Sequence, residues 1–214
     1  MANINGAFGL RPIAKVGQNS NSMGVSGYTS YEIASDNSNV IYFGTPVIPL
    51  STGYIDVVGA AAGGTVGVAG AFMGCKYVSS TTGKPIWSNY WPGSGANTSL
   101  PVEAFVADDP MQLYLVATDA SWTSKATARA GVFANANFSS GTSGSTANGM
   151  SSAALAISTI ATTKTLNLRI MGWEDDPSNS DFSAAGIGAI VRLNNHFNSP
   201  NGAIVAGTTD SAGV

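Results

Sequence analysis

The chain carries one histidine, His196, and one cysteine, Cys75. A Ser–His or Cys–His nucleophilic pair would have to use that imidazole, since histidine takes and returns a proton near neutral pH. The rest of such a site is missing. No Gly-x-Ser-x-Gly elbow accompanies His196, and no obvious helix is present to build one. His196 therefore reads as a strand-end residue bonded to its neighbours. Cys75 lies in the apolar run Ala71-Phe72-Met73-Gly74-Cys75 and reads as a buried thiol acting as a small hydrophobe. One cysteine excludes an intramolecular disulfide, and one Cys with one His falls short of a four-ligand zinc site.

Two acidic clusters, Asp108-Asp109 and Glu174-Asp175-Asp176, have the residue types of a carboxylate pair for glycoside hydrolysis or of a calcium loop. Both precede a proline, where acids favour turns for backbone reasons. The second does not alternate its acids as a calcium loop does. Both are read as turns. No Walker loop or Gly-x-Gly-x-x-Gly cradle stands in a strand–helix context, and no metal or cofactor is expected.

The most informative binding feature is Lys84-Pro85-Ile86-Trp87-Ser88-Asn89-Tyr90-Trp91, read as a loop. Trp87, Tyr90 and Trp91 suit a sugar-stacking platform or a protein interface, and equally the capping of a β core.

These residues need elements to position them. Tyr28–Ile33, Val40–Phe43, Pro46–Leu50, Ile55–Val58 and Thr65–Val78 are rich in strand formers. The prolines at 46 and 49 put the third run at an edge or start of a sheet. Glycines at 67, 70 and 74 suit a curved strand with bulges. Leu100–Ala107 and Met111–Ala117 flank the Asp108-Asp109-Pro110 turn. Ser151–Ile160 reads as one or two weak helical turns. Leu166, Leu168 and Ile170 alternate with polar residues in the clearest strand, and Gly188–His196 is the last. Short strands between Gly/Asn/Asp/Pro turns predict a mainly β fold, an antiparallel sandwich or barrel. It divides into an extended N-terminal arm (1–24), a β-rich core domain (25–197) and a C-terminal tail (198–214).

Only 10% of the 214 residues are charged, against a usual ~25%. A surface of small neutral polar groups suits burial against neighbours in an assembly. The net charge is −3 and the nine basic residues are scattered. That argues against nucleic acid, and no polybasic amphipathic helix exists for a membrane surface. The N-terminus has no basic or apolar region of a signal peptide, and no apolar stretch is long enough to span a bilayer.

Four segments, in order, resemble a family of tailed-phage head-associated proteins. Asn5-Gly6-Ala7-Phe8-Gly9-Leu10-Arg11-Pro12 is similar to their N-x-P-F-G-x-R-P opening, with Gly6-Ala7 where Ala-Pro is common. Val106-Ala107-Asp108-Asp109-Pro110 resembles their V-A-D-D-P turn. Leu166–Gly172 with Asp176-Pro177-Ser178-Asn179 resembles L-Q-L-R-I-L-G … P-D-N, and Arg192-Leu193-Asn194-Asn195-His196 resembles K-I-N-N-H. The segments 79–100 and 139–150 are not covered.

The resemblance implies a non-enzymatic virion protein that decorates the capsid surface, with the major capsid protein as partner and a homotrimer as the natural oligomer at a three-fold site. It carries over no catalytic residue. Expected partner contacts are Phe8, Leu10, Arg11 and Pro12, anchoring the arm in a partner groove, with Trp87, Tyr90 and Trp91. The competing expectation is a carbohydrate- or receptor-binding module using the aromatics, or a minor head or tail component.

Overall fold

A computed structural model describes residues 3–4, 6–16, 27–59 and 67–199. Its strands form two six-stranded sheets and a short ribbon. In the first sheet, β1 (Arg11–Lys15) is an edge, followed by β8 (Gln112–Ala117), β14 (Gly188–Leu193), β13 (Leu168–Trp173), β9 (Asn135–Ser139) and β12 (Ala154–Ala161). In the second, the order is β2 (Thr29–Ile33), β7 (Val102–Ala107), β5 (Gly70–Val78), β3 (Pro46–Pro49) and β4 (Ile55–Val57), with β6 (Pro85–Ser88) also on β5. The ribbon is β10 (Gly144–Ser145) with β11 (Met150–Ser151). All these pairings are antiparallel. The architecture is a sandwich and not a closed barrel.

The period-two patterns do the expected work. Val102, Ala104 and Val106 of β7 are buried and alternate with half-buried Glu103 and Phe105. Leu168 and Ile170 of β13 are buried, while Arg169 between them is not. Two apolar clusters result. One joins Tyr114, Val116, Leu168, Ile170 and Val191 of the first sheet to Ala71, Met73 and Ala107 of the second. The other covers the second sheet's opposite face with Ile33, Val47, Phe72, Cys75, Val102 and Ala104, closed by Ile41 and Trp91.

Strand β5 feeds both clusters by alternation, and one glycine decides which of them Cys75 joins. Ala71 and Met73 face the first cluster and Phe72 the second. Simple alternation would return Cys75 to the first. Instead the pairing with β7 slips between Phe72↔Val106 and Cys75↔Ala104, so three residues on β5 span two on β7. Gly74 supplies the extra residue at φ +122°. The bulge flips the following side chains to the other face, and Cys75 joins Phe72.

Several expectations are corrected by long-range pairing. Ser151–Ile160 is not helical: β12 pairs with β9, and Leu155 is fully buried in the first cluster. That partner is invisible to local periodicity. A short helix, α1 (Lys125–Ala130), exists instead, with Ser124 Oγ capping the Thr127 N–H. The 85–88 stretch is a strand on β5, not a loop. Pro46 does start its strand, but β3 lies between β5 and β4 and is not an edge.

The predicted arm is also partly built into the domain. Residues 11–15 are the edge strand β1 on β8. Ahead of it, Asn3 Nδ2 donates to the Asp181 and Ala185 carbonyls at 2.9 and 2.7 Å, and Ile4 N–H donates to Asn179 Oδ1. Positions 17–24 of the arm and 200–214 of the tail lie outside the described residues.

Candidate interaction surface

The Phe8-Gly9-Leu10-Arg11-Pro12 motif is a backbone crossing. Gly9 (φ +76°) runs against Gly44 (φ +82°), and a Cβ on Gly9 would lie 2.7 Å from the Gly44 carbonyl oxygen. Leu10 N–H donates to that oxygen at 2.8 Å, and Gly9 N–H donates to the Ala153 carbonyl. Leu10 is 0% exposed and belongs to the first cluster. The expectation that Leu10 anchors a partner groove is therefore corrected: its groove lies in its own chain, where burying a leucine stabilises by roughly 1.5–3 kcal/mol. Pro12 is half-buried in β1. Phe8 is half-buried with the Arg11 guanidinium 4.8 Å above its ring, and Arg11 itself is exposed. Of this motif, Arg11 and parts of Phe8 and Pro12 remain available to a partner.

The three aromatics of the 84–93 stretch part company. Trp91 is fully buried in the second cluster, edge-on to Tyr77 at 5.4 Å, and its indole N–H donates to the Asn37 carbonyl at 3.1 Å. The Trp91 backbone exchanges hydrogen bonds with Ile41. Tyr90 is half-buried, stacked on Tyr42 at 6.0 Å. Trp87 stays 68% exposed. A shared platform of Trp87, Tyr90 and Trp91 is corrected: β6 aims Trp87 away from the body, while the chain after it turns Trp91 into the core.

Trp87 has other company. Its ring stacks on Phe105 of β7 at 5.7 Å with 4° between planes, and the Lys76 ammonium sits 5.1 Å from its centroid. Tyr28, 50% exposed, joins them around a depression of about 370 Å³ floored by Met73 and Gly74. Neither Tyr28 nor Phe105 stands near Trp87 in sequence. Only the β6–β5–β7–β2 pairing gathers them, so no local signal marked them.

The acidic turn is a structural junction. Asp108 accepts from Thr29 Oγ1 and Tyr31 O–H, each at 2.7 Å, and from Asn198 Nδ2 at 3.3 Å. Asp109 pairs with Lys15 and accepts the Met111 N–H. The Lys15 ammonium, bonded to it, is the main reason its carboxyl is held below the usual range. Asp176 caps the 3₁₀ turn Pro177–Asn179, its carboxylate accepting from the Ser178 backbone N–H and the Asn179 side-chain amide. Among the described residues no group of three or more His, Cys, Asp or Glu is placed to hold a metal ion. Burial pushes the Cys75 thiol up to about 12, out of the range of a reactive thiolate.

Comparisons with family models, curated proteins and solved structures gave no match to this chain.

Proposed function

We propose that the chain is a non-enzymatic virion structural protein of a tailed phage, decorating the outer surface of the capsid with the major capsid protein as its partner. One observation carries the reading. Three of the four segments that resemble the phage head family, 5–12, 166–172 and 192–196, reach into β1, β13 and β14 of one sheet, and the fourth, 106–110, is the end of β7 and the turn that leads into β8 of that same sheet. The ordered resemblance thus converges on the first sheet and the turn that joins it to the second. The low share of charged residues, 10%, fits a surface that repeats against symmetric neighbours, where weak contacts add by avidity, and a trimer at a three-fold axis is the oligomer that suits it.

The test is co-sedimentation of the purified chain with heads of the same phage assembled without it. Saturable binding at a fixed ratio to the major capsid protein is the expected result. A chain that stays in the supernatant at every ratio removes the proposal.

A second reading, glycan binding, is favoured by the exposed Trp87 beside Tyr28 and the depression between them. It predicts that oligosaccharides quench tryptophan fluorescence, and that Trp87→Ala abolishes the response.

A further inference from the structure

His196 sits where three segments meet. The Asn195 carbonyl accepts from Val68 N–H and Phe197 N–H donates to the Val68 carbonyl, both at 2.9 Å. These bonds tie the chain after β14 to the entry of β5. The His196 side chain is 1% exposed. Its Nδ1 accepts the backbone N–H of Asn198 at 3.0 Å. Its Nε2 is buried and has no hydrogen-bond partner among the described residues. This pattern assigns the neutral tautomer with the proton on Nε2.

Geometry alone sets the cation against this arrangement. An imidazolium carries a proton on both nitrogens. Nδ1 would then point a proton at the Asn198 N–H, and a charge would be buried without solvation. The opposing groups come from the β7–β8 turn: the Asp108 and Asp109 carboxylates attract a cation. Lys15 of β1 already offsets Asp109, and Asp108 already accepts from Thr29 and Tyr31 of β2 and from Asn198. Tyr114 of β8, neutral because burial raises its pKa, faces the same turn. Burial dominates, and the imidazole is held below its ordinary value of 6.5 despite both aspartates.

We propose that His196 is a proton-operated latch: acidification protonates it, breaks the Asn198 N–H···Nδ1 bond, and frees residues 197–199 from Val68 and Asp108. The latch links the two sheets, because Val68 leads into β5 while His196 follows β14. Its opening loosens one end of the sandwich without requiring the core to unfold. The inference is independent of the capsid reading.

The test uses the full untagged chain, whose single imidazole gives one NMR titration curve. Amide protection of Phe197 and Asn198 is followed in parallel, corrected for intrinsic exchange. The imidazole should titrate below 6.5. Protection should fall by about tenfold per pH unit once the pH drops below about 6.5, until the latch's own pKa is reached. In His196→Gln the protection should not change over that range. Flat protection between about pH 6.5 and the imidazole's own pKa, a titration at or above the free value, or an equal fall in His196→Gln would each overturn the latch. If His196→Gln does not fold, the wild-type curves decide alone: the fall in protection must end where the imidazole itself titrates.

Discussion

Asp108 and Asp109 are adjacent in the chain and grip opposite sheets. Asp108 holds Thr29 and Tyr31 of β2, the edge of the second sheet. Asp109 holds Lys15 of β1, the edge of the first. The turn that carries the chain from β7 to β8 thus pins both edge strands to the place where the sheets join. The residue types that resembled an acid pair for catalysis are engaged in structure.

Asp109 gives the turn an acid sensitivity with a definite sign. Its carboxyl titrates lower in the folded chain than in the unfolded one, so its contribution is complete above about pH 4 and is lost as the pH falls through the folded value. The pair is partly solvent-exposed, so the effect is small, about 0.5 kcal/mol. Chemical denaturation at pH 7 should show Asp109→Asn less stable by about that amount. The gap should narrow as the pH falls below about 4 and through the folded carboxyl's own titration. A difference that does not shrink on acidification would assign the effect to packing rather than charge.

Gly74 is required by geometry and Gly172 is not. A Cβ on Gly74 would lie 2.9 Å from the Ser88 carbonyl oxygen, at a φ that side chains rarely adopt. Gly74→Ala should cost about 1–3 kcal/mol. A Cβ on Gly172, inside β13, meets nothing within 4 Å, so Gly172→Ala should be neutral or mildly stabilising. Urea midpoints of the two variants check the contrast, and equal losses would refute the role given to the bulge.

The aromatics should separate by stability. Trp91→Ala should cost about 3–5 kcal/mol and Leu10→Ala about 2–5, as large-to-small changes in a packed core. Trp87→Ala should cost about 1 kcal/mol or less, the worth of its stack on Phe105. Against a total of about 5–15 kcal/mol, the first two lower the thermal midpoint strongly and the third barely moves it. A Trp87→Ala loss as large as that of Trp91→Ala would place Trp87 in the core. Truncation of residues 2–16 follows the same logic. It removes Leu10 and β1, so it should destabilise the domain rather than only detach an arm.

Cys75 should be inert while the chain is folded. Its thiol is buried and shifted up to about 12, and its Sγ lies 3.5 Å from the Tyr90 carbonyl oxygen. A thiol-reactive chromophore at pH 8 should modify it only at the rate of unfolding. Immediate stoichiometric labelling of the native protein would contradict that burial.

Sequence alone determined what depends on near neighbours. Acids before Pro110 and Pro177 marked turns because the backbone chemistry is local. The alternation around Leu168 and Ile170 marked a strand because side chains leave a strand on alternate faces. Glycine at 74 marked a bulge, and many short strands marked a sandwich or barrel. Tertiary structure alone decided what depends on partners distant in the chain. It chose the sandwich over the barrel and made Ser151–Ile160 strand by pairing it with β9. It sent Trp91 inward and left Trp87 outside, though the two lie four residues apart. Leu10 read as a free anchor because nothing beside it in sequence shows Gly44, whose close approach takes it into the core. Burial is a property of the assembled surface, and residue type gives only the tendency toward it.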